Sequence, residues 1–352
     1  MSRPPFARIA GTLALAVAAG ALAQALGLPL PWMLGPLFAT AALSMAGVPL
    51  AAAPLLRNLG QWVIGVALGL YFTPEVLRTI ASLMPALVAG VAWALVMGYA
   101  FYRLLWATAG RPTGGGRATA FFAAAIGGAS EMAVLAERHG ARVDRVAAAH
   151  SLRVLLVVSL IPFGLQAVGL RGLDATPPAV SGVDALGLVV LVAATLAGVM
   201  AARALRLPNA WVLGALAVTI ALAASGRAGS ALPPGASEAG QLCIGVALGT
   251  RFSPAFAREA PGWLGTVALG TLAMIAASAA FAWLLARLAG LHPATVLLGT
   301  SPGGIAEMCI TAKVLQLGVP VVTAFHVIRY VAVLLLTGPL YGWIERRAAR
   351  EA

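Results

Sequence analysis

Two short stretches of an apolar chain carry the side chains that are best suited to chemistry. "GGASEM" begins at Gly127 and "GGIAEM" begins at Gly303, and each places an acid, Glu131 or Glu307, four residues after its first glycine. Gly-Gly in a helix interior costs about 1 kcal/mol per glycine relative to alanine. An acid in an apolar membrane segment is expensive and by default marks a functional site. The pairing predicts two breaks, each beside an acid that carries a proton or an ion.

A histidine and an arginine, separated from each other by one helical turn, follow each acid further along the chain. His150 and Arg153 are three residues apart, as are His326 and Arg329, so each pair lies on one face of a helix, one turn apart. The arginine is suited to bidentate binding of an anionic group, and the histidine to titration near neutral pH. Two alternatives stay open. Each acid is a fixed partner of the arginine, or the pairs lie at helix ends and snorkel to the interface.

The second copy carries a helix-start signal that the first copy lacks. In "GTSPGGIAEM", Ser301 can cap a helix and Pro302 suits the first helical position. A half-helix would then begin inside the membrane, with its N–H groups and partial positive charge directed at the break. Ala125 and Ile126 take these two positions in the first copy, so the sequence predicts that the copies are not equivalent. The glycines at the predicted breaks are Gly127, Gly128, Gly303 and Gly304.

A further polar residue lies in the third apolar segment of each half. Gln61 and Gln241 each follow a glycine, and each precedes a pair of glycines spaced by four, Gly65 and Gly69 or Gly245 and Gly249. Small residues at this spacing allow helix backbones to approach closely, so we interpret these glycines as packing residues. The glutamines are candidate polar ligands, or they hydrogen-bond a neighbouring helix.

The composition requires lipid as the solvent. Of 352 residues, 61% are hydrophobic and 10% are charged, with a mean hydropathy of +0.94. A soluble domain carries about a quarter charged residues, and apolar runs of about 20 residues, long enough to cross a bilayer, recur along the chain. The formal net charge is +12. Its arginines are spread through short loops, as in membrane proteins, and no basic stripe predicts nucleic-acid binding.

The sequence contains an internal duplication. "LPLPWMLGPL" at Leu28 returns as "LPNAWVLGAL" at Leu207, and "GQWVIGVALG" at Gly60 returns as "GQLCIGVALG" at Gly240. The two glutamate motifs and the two His-x-x-Arg pairs repeat in the same order, at offsets of 176–180 residues. Ordered matches at nearly constant offset indicate a duplication. We predict a first membrane repeat over 1–172, a linker over 173–182 and a second repeat over 183–346.

The placement of arginines distinguishes two ways of threading six apolar segments per half. If all six cross, the halves are parallel; if one is re-entrant, five cross and the halves are inverted, a common transporter plan. With a cytoplasmic N-terminus and a re-entrant fifth segment, near 118–137 and 293–315, most arginines fall on the cytoplasmic side. The excess is smaller with twelve crossings or with a re-entrant third segment. The positive-inside rule thus predicts an all-α polytopic protein with two inverted repeats of about five crossings, and both termini in the cytoplasm.

Signals of enzymatic chemistry are weak. None of the four histidines has a partner at metal-ligand spacing, and neither a phosphate loop nor a nucleophile elbow is present. We therefore expect no catalytic residues, no metal and no cofactor. The expected partners are a small-molecule or ion substrate and membrane lipid, without nucleic acid, and assembly into a homo-oligomer is an open alternative.

These motifs resemble those of the AbrB family of integral membrane proteins, a duplicated module known mainly from bacteria. The resemblance covers nearly the whole chain and rests on "PWMLG"/"AWVLG", "GQ-x-x-IGVALG" and "GG-x-x-EM" followed by "H-x-x-R". Family members are often labelled regulators or ammonia monooxygenases. A copper or iron oxygenase needs ligand clusters that this chain lacks, so the second label is not supported. The resemblance supplies no substrate and no functional residues.

Two functions follow as expectations. The first is a secondary transporter of the bacterial inner membrane for a small, anionic solute, coupled to a proton or ion by Glu131 and Glu307. The second is a membrane regulator of gene expression that does not transport and acts through a partner. Its docking surface would have to lie in the short loops at 107–117 and 137–145.

Overall fold

The protein is all-helical in the part of the chain that the structure describes. The structure is a computed structural model, and it describes residues 5–108, 116–172, 174–254, 256 and 261–350. We number its helices α1 (Pro5–Ala25), α2 (Pro31–Met45), α3 (Pro54–Gly69), α4 (Pro74–Ser82), α5 (Met84–Thr108), α6 (Gly116–Ala124), α7 (Ala129–Arg138), α8 (Val143–Ala167), α9 (Ala185–Ala204), α10 (Ala210–Ala224), α11 (Ala236–Gly249), α12 (Pro261–Ala289), α13 (Pro293–Thr300), α14 (Ile305–Leu315) and α15 (Val319–Arg350).

Six of the described helices are long and apolar enough to cross a membrane: α1, α5, α8, α9, α12 and α15. They are the first, fourth and sixth segments of each half. This confirms the prediction of an all-α polytopic membrane protein. The second and third segments form helices of only 14–16 residues, α2, α3, α10 and α11, shorter than the ~17 residues that a perpendicular crossing needs. The prediction of ten crossings depends on these four short helices and stays a prediction.

A sharp bend, which the sequence did not indicate, directly follows the third segment of the first half. Helix α3 ends at Gly69 and α4 begins at Pro74, and the two helices are bent by 88°. The pair could count as one bent span, which would make seven in the described residues. Proline is suited to a first helical position because it has no N–H group to leave unpaired, and Pro74 therefore favours a new helix start here.

The chain forms two compact units, each drawn from both halves of the sequence. Unit 1 comprises Met1–Ser82, Pro162–Ala257 and Cys309–Pro320, and unit 2 comprises Leu83–Ile161, Arg258–Met308 and Val321–Ala352. Unit 1 therefore contains the first three segments of each half, and unit 2 contains most of the last three. The predicted repeat boundaries therefore describe the duplication in the sequence. The two compact units do not coincide with the two repeats, because each unit combines corresponding segments of both halves.

Glycines allow the short helices of unit 1 to pack closely. A Cβ atom built on Gly65 of α3 would lie 2.6 Å from the carbonyl oxygen of Val212 in α10, and one on Gly249 of α11 would lie 2.6 Å from that of Leu37 in α2. A side chain at either position would force the helices apart. The interpretation of these glycines as packing residues is confirmed. Each pairing joins a helix of one half to a helix of the other half.

Unit 2 is built around α5, α8, α12 and α15. Trp93 of α5 stacks on Phe281 of α12 with ring centroids 4.3 Å apart, and the Trp93 indole N–H donates to Ser278 at 3.3 Å. An apolar cluster that includes Phe121, Phe122 and Tyr341 is buried where α6 meets α15. Unit 2 also contains both helix breaks, at 125–128 and 301–304.

Candidate functional site

Both fifth segments are broken at corresponding places. Helix α6 ends at Ala124 and α7 begins at Ala129; α13 ends at Thr300 and α14 begins at Ile305. The breaks at 125–128 and 301–304 have the same length and are offset by 176 residues, as are the His-x-x-Arg pairs. The prediction that the two glutamate motifs interrupt a helix is confirmed. Whether each broken segment is re-entrant or spans the membrane stays a prediction.

The carbonyl groups at the end of α6 are all accounted for. The last carbonyls of a helix have no partner within the helix, and leaving them unpaired in an apolar interior is costly. The Phe121 oxygen accepts from the Ala125 N–H at 3.0 Å, and the Phe122 oxygen lies 2.9 Å from His150 Nε2. Arg153 donates to the oxygens of Ala123, Ala124 and Ala125 at 3.3, 3.3 and 3.0 Å.

The second break is held by the equivalent residues. His326 Nε2 lies 2.9 Å from the Leu298 oxygen, and Arg329 donates to the oxygens of Ser301 and Gly303, the latter at 2.7 Å. All four residues of the two His-x-x-Arg pairs are at most 5% exposed. The snorkelling alternative is therefore wrong for both pairs, because each one caps a helix end inside unit 2.

The acids lie at the opposite side of each break, where the second half-helix begins. Glu131 and Glu307 are the third residues of α7 and α14, the position from which an acid reaches back to the start of its own helix. A Cβ atom added to Gly128 would overlap the Glu131 carboxylate, and one added to Gly304 would overlap that of Glu307. Each carboxylate therefore covers the glycine that precedes its helix, at the positive end of the helix dipole.

The prediction that Ser301 caps the second half-helix is wrong. Ser301 ends the helix before the break: its N–H donates to the Leu297 oxygen and its hydroxyl to the Leu298 oxygen, both at 2.9 Å. A residue before proline is restricted to extended conformations, and Ser301 has φ −60° and ψ 150°. Pro302 therefore stops α13 instead of starting α14. Because Ala125 and Ile126 accompany a break of the same length, Ser-Pro is not what makes the break.

Helices of each half contact the break of the other half. A Cβ atom on Gly127, in the first break, would lie 3.3 Å from Val333 of α15, and one on Gly303, in the second break, would lie 3.1 Å from Val157 of α8. Val157 and Val333 correspond in the repeat, so the arrangement is pseudo-symmetric. Since α8 and α15 also supply the capping arginines, the two breaks and these two helices form one cluster in unit 2.

Two buried positive charges lie in this cluster. Arg153 and Arg329 are 2% and 5% exposed. The Nε atom of Arg153 is buried without a hydrogen-bond partner. The ion pairs within 4 Å include those of Arg78 with Glu75 and of Arg142 with Asp144, and the pairing of either glutamate with an arginine of this cluster stays a prediction.

The glutamines are placed elsewhere. Gln61 on α3 and Gln241 on α11 belong to unit 1, whereas the other eleven predicted site residues belong to unit 2. Next to the glutamines, a Cβ atom on Gly60 would lie 2.8 Å from the carbonyl oxygen of Gly240, so α3 and α11 cross there. Their role as ligands stays a prediction, as do the functional roles of the residues in unit 2.

Comparison with known proteins finds matches that cover most of the chain. A family model described as "Transition state regulatory protein AbrB" matches residues 32–345, most of the chain. The chain belongs to the AbrB family. It is also 26% identical to the Bacillus subtilis (strain 168) protein YhjN, over 94% of this chain and 91% of the relative. An Escherichia coli (strain K12) relative named "Putative regulator AbrB" is 27% identical, over 90% of each chain.

One buried residue beside the first break of this AbrB-family chain was not predicted from the sequence. Tyr330 on α15 is 7% exposed, and its ring lies 3.2 Å from a Cβ atom built on Gly128, beside Glu131. Val154 is the equivalent residue of α8. The two halves therefore differ in the residue that follows the capping arginine. Comparing the two His-x-x-Arg motifs one residue further along would have revealed this difference.

Proposed function

We propose that this AbrB-family protein is a secondary transporter for a small anionic solute, coupled to protons or to another ion. The observation that carries the proposal is the pair of helix breaks that lie in unit 2, with an acid at the start of each second half-helix. Discontinuous helices that meet inside a membrane protein are the usual place for substrate and ion sites in transporters.

The charges support an anionic solute. Arg153 and Arg329 bring two positive charges into the cluster, and Arg153 Nε has no hydrogen-bond partner there. A buried charged donor without an acceptor is costly, and an oxygen of a bound anion would remove that cost. The starts of α7 and α14 add the partial positive charge of two helix dipoles.

The position of the acids supports ion coupling. Each carboxylate occupies the start of a half-helix, where a substrate anion would also be stabilised. An incoming anion therefore competes with Glu131 or Glu307 in its charged form. Protonation of the glutamate neutralises it and removes the repulsion, so binding of the anion and uptake of a proton favour each other. This linkage is the basis of the proposed symport.

The test is solute flux in proteoliposomes. A panel of monocarboxylates, dicarboxylates, sulfate and inorganic phosphate is first screened for stabilisation of the purified protein, since a ligand stabilises by mass action. Uptake of the radiolabelled hit is then driven by an imposed pH gradient. Glu131→Gln and Glu307→Gln should each lower uptake by about tenfold or more, the effect of roughly 1.4 kcal/mol on a barrier. Glu137→Gln, an exposed acid on α7, is the matched control. Unchanged uptake in both variants would refute the coupling role.

The membrane location is part of the proposal. We place the protein in the bacterial inner membrane with both termini in the cytoplasm, because that orientation puts most arginines on the cytoplasmic side. In a variant that lacks Cys243 and Cys309, cysteines introduced singly at the exposed positions Arg138 and Arg350 should both be labelled by an impermeant maleimide only in inside-out vesicles.

A second candidate is a membrane regulator that does not transport. The description of the family model and the name of the Escherichia coli relative favour it. Its docking surface would lie in the loops at 107–117 and 137–145. Residues 109–115 of the first loop lie outside the described residues. Retention of one specific partner in a pull-down, together with no flux of any screened solute, would favour this candidate over transport.

A further inference from the structure

The two half-helices that follow the breaks differ in how much of their surface is covered. On α7, Ser130 and Val134 are exposed, whereas Ala306 and Ile310, the equivalent residues of α14, are buried. The largest contrast is between Val134, which is 49% exposed, and Ile310, which is 1% exposed. Residues four positions apart lie on one face of a helix. The first copy therefore exposes a face that the second copy buries.

The contrast lies along the half-helices and not at the acids themselves. Glu131 and Glu307 are both half-buried. Within the breaks, the contrast is confined to one equivalent pair, since Gly127 is half-buried and Gly303 is buried. What differs between the copies is therefore the surface that leads away from each acid.

The composition of the exposed face of α7 distinguishes water from lipid. On α9, every exposed residue from Leu186 to Met200 is apolar, as a helix face in contact with acyl chains requires. The exposed residues of α7 are Ser130, Val134, Glu137 and Arg138, of which only the valine is apolar. Polar groups at membrane depth are buried in protein or line a water-filled cavity. The exposed face of α7 fits the second case.

The end of α14 is held in a way that the end of α7 is not. Residues 309–320 belong to unit 1, whereas the equivalent residues 133–144 belong to unit 2. Within unit 1, the Lys313 ammonium group donates to the Ser237 hydroxyl oxygen at 2.6 Å. Glu137, the equivalent of Lys313, is exposed at the end of α7. The covered face of α14 is thus accompanied by a polar contact that holds this helix end in place.

We propose that the exposed face of α7 lines a water-filled path to Glu131, and that the covered face of α14 closes the equivalent path to Glu307. This inference rests on the proposed function and deepens it. The first break becomes the point at which a proton and a small hydrophilic anion exchange with the solution. Because the two copies correspond, the reverse arrangement, with α7 covered and α14 exposed, would give Glu307 the same access, as alternating access between repeats requires.

The test is the rate at which single cysteines react with a charged methanethiosulfonate. The purified protein, in a background without the native cysteines, is held in lipid nanodiscs so that the reagent reaches both membrane faces. Val134→Cys should react about tenfold faster than Ile310→Cys or more, because a buried thiol reacts only after local opening. Ser130→Cys and Ala306→Cys repeat the comparison beside each acid. Equal rates within both pairs would overturn the proposal.

A cysteine on α9 separates exposure to water from exposure to lipid. Val190 is 52% exposed, close to the value for Val134, but it lies on an apolar face, so Val190→Cys should react slowly with the charged reagent. If Val134→Cys reacts as slowly as Val190→Cys, α7 faces lipid and the path is refuted. The thermal unfolding midpoint shows which variants fold, and Ile310→Cys, which removes volume, decides if Ala306→Cys does not fold.

The labelling result and the transport result are independent. Labelling requires no solute flux, so a protein that transports but reacts equally at Val134→Cys and Ile310→Cys contradicts the path and leaves the proposed function in place. A protein that labels as expected but carries no screened solute contradicts transport and leaves the water-filled path in place.

Discussion

The Nδ1 atom of His150 lies 2.8 Å from a terminal nitrogen of Arg153, and this contact determines which proton the histidine carries. Arginine is only a donor and a backbone carbonyl is only an acceptor. Nδ1 must therefore accept from Arg153, and Nε2 must donate to the Phe122 oxygen, 2.9 Å away. His326 makes the same pair of contacts, with Arg329 at 2.9 Å and with Leu298. Both histidines are held neutral, which argues against the predicted role in titration.

A neutral mimic of the histidine should therefore be tolerated. In His150→Gln, the amide oxygen can accept from Arg153 and the amide nitrogen can donate to the Phe122 oxygen, so we expect nearly unchanged stability and an unchanged pH profile of uptake. His150→Phe leaves both partners unpaired and should lower the free energy of unfolding by about 1–3 kcal/mol. Thermal unfolding in detergent and uptake across pH 5–8 are the measurements. A lost pH dependence in His150→Gln, with normal stability, would restore the histidine as a proton carrier.

Removal of the capping arginine should destabilise unit 2. Arg153→Met removes the donor to the carbonyl oxygens of Ala123, Ala124 and Ala125, and we expect a loss of about 2–5 kcal/mol because these buried acceptors lose their partner. Arg153→Lys should be intermediate, since one ammonium group cannot reach all three oxygens in the planar geometry of a guanidinium group. The thermal unfolding midpoint reports the effect, with Arg171→Met as the control on an exposed arginine. A small effect of Arg153→Met would mean that the arginine is retained for a ligand rather than for the fold.

The glycine beside each acid is required for space and not for its backbone conformation. Gly128 has φ −66° and ψ 135°, which any residue adopts, but an added methyl group would displace the Glu131 carboxylate. Gly128→Ala should therefore destabilise the wild-type protein and have a smaller effect in a Glu131→Ala background. The difference in the double-mutant cycle should be about 1 kcal/mol. Gly11→Ala, where nothing lies within 4 Å, controls for the intrinsic preference of alanine. Additive effects would show that the acid and the glycine do not interact.

The crossing of α3 and α11 allows a ranking of two equivalent glycines. A Cβ atom on Gly60 would lie 2.8 Å from the Gly240 oxygen and 3.0 Å from Cys243, whereas one on Gly240 would meet its nearest atom, the Gly60 oxygen, at 3.2 Å. Gly60→Ala should lower the free energy of unfolding by about 1–3 kcal/mol, the usual cost of overpacking, and Gly240→Ala should cost less. Unfolding midpoints of the two variants test the order, which the repeat alone cannot supply. The reverse order would place the helix crossing elsewhere.

Local signals in the sequence were enough to find the breaks, because two glycines and an acid are costly in an apolar helix wherever they stand. The same holds for the His-x-x-Arg pairs, whose spacing put both side chains on one face. The sequence could not reveal what these pairs bind, because the carbonyls that they cap lie 26–30 residues away in the chain.

Other features of the structure depend on tertiary packing, and the sequence gives only weak signals for them. Ser301 and Pro302 form a good helix start when read locally, but the restriction that proline places on the residue before it ends α13 there. Gln61 and Gln241 were grouped with the acids because all are polar residues in apolar segments, and the chain folds them into the other unit. The contact of Tyr330 with Gly128 depends on a helix of the second half packing against the first break.

In unit 1, helices of each half pack against helices of the other half, and this has a consequence for how the duplication is understood. Gly65 of the first half fits against Val212 of the second, and Gly249 of the second fits against Leu37 of the first. A polypeptide containing a single module would expose both glycine faces and could bury them only against another copy of itself. The duplication therefore supplies, within one polypeptide, the partner surface that a single module would have to find in a second copy.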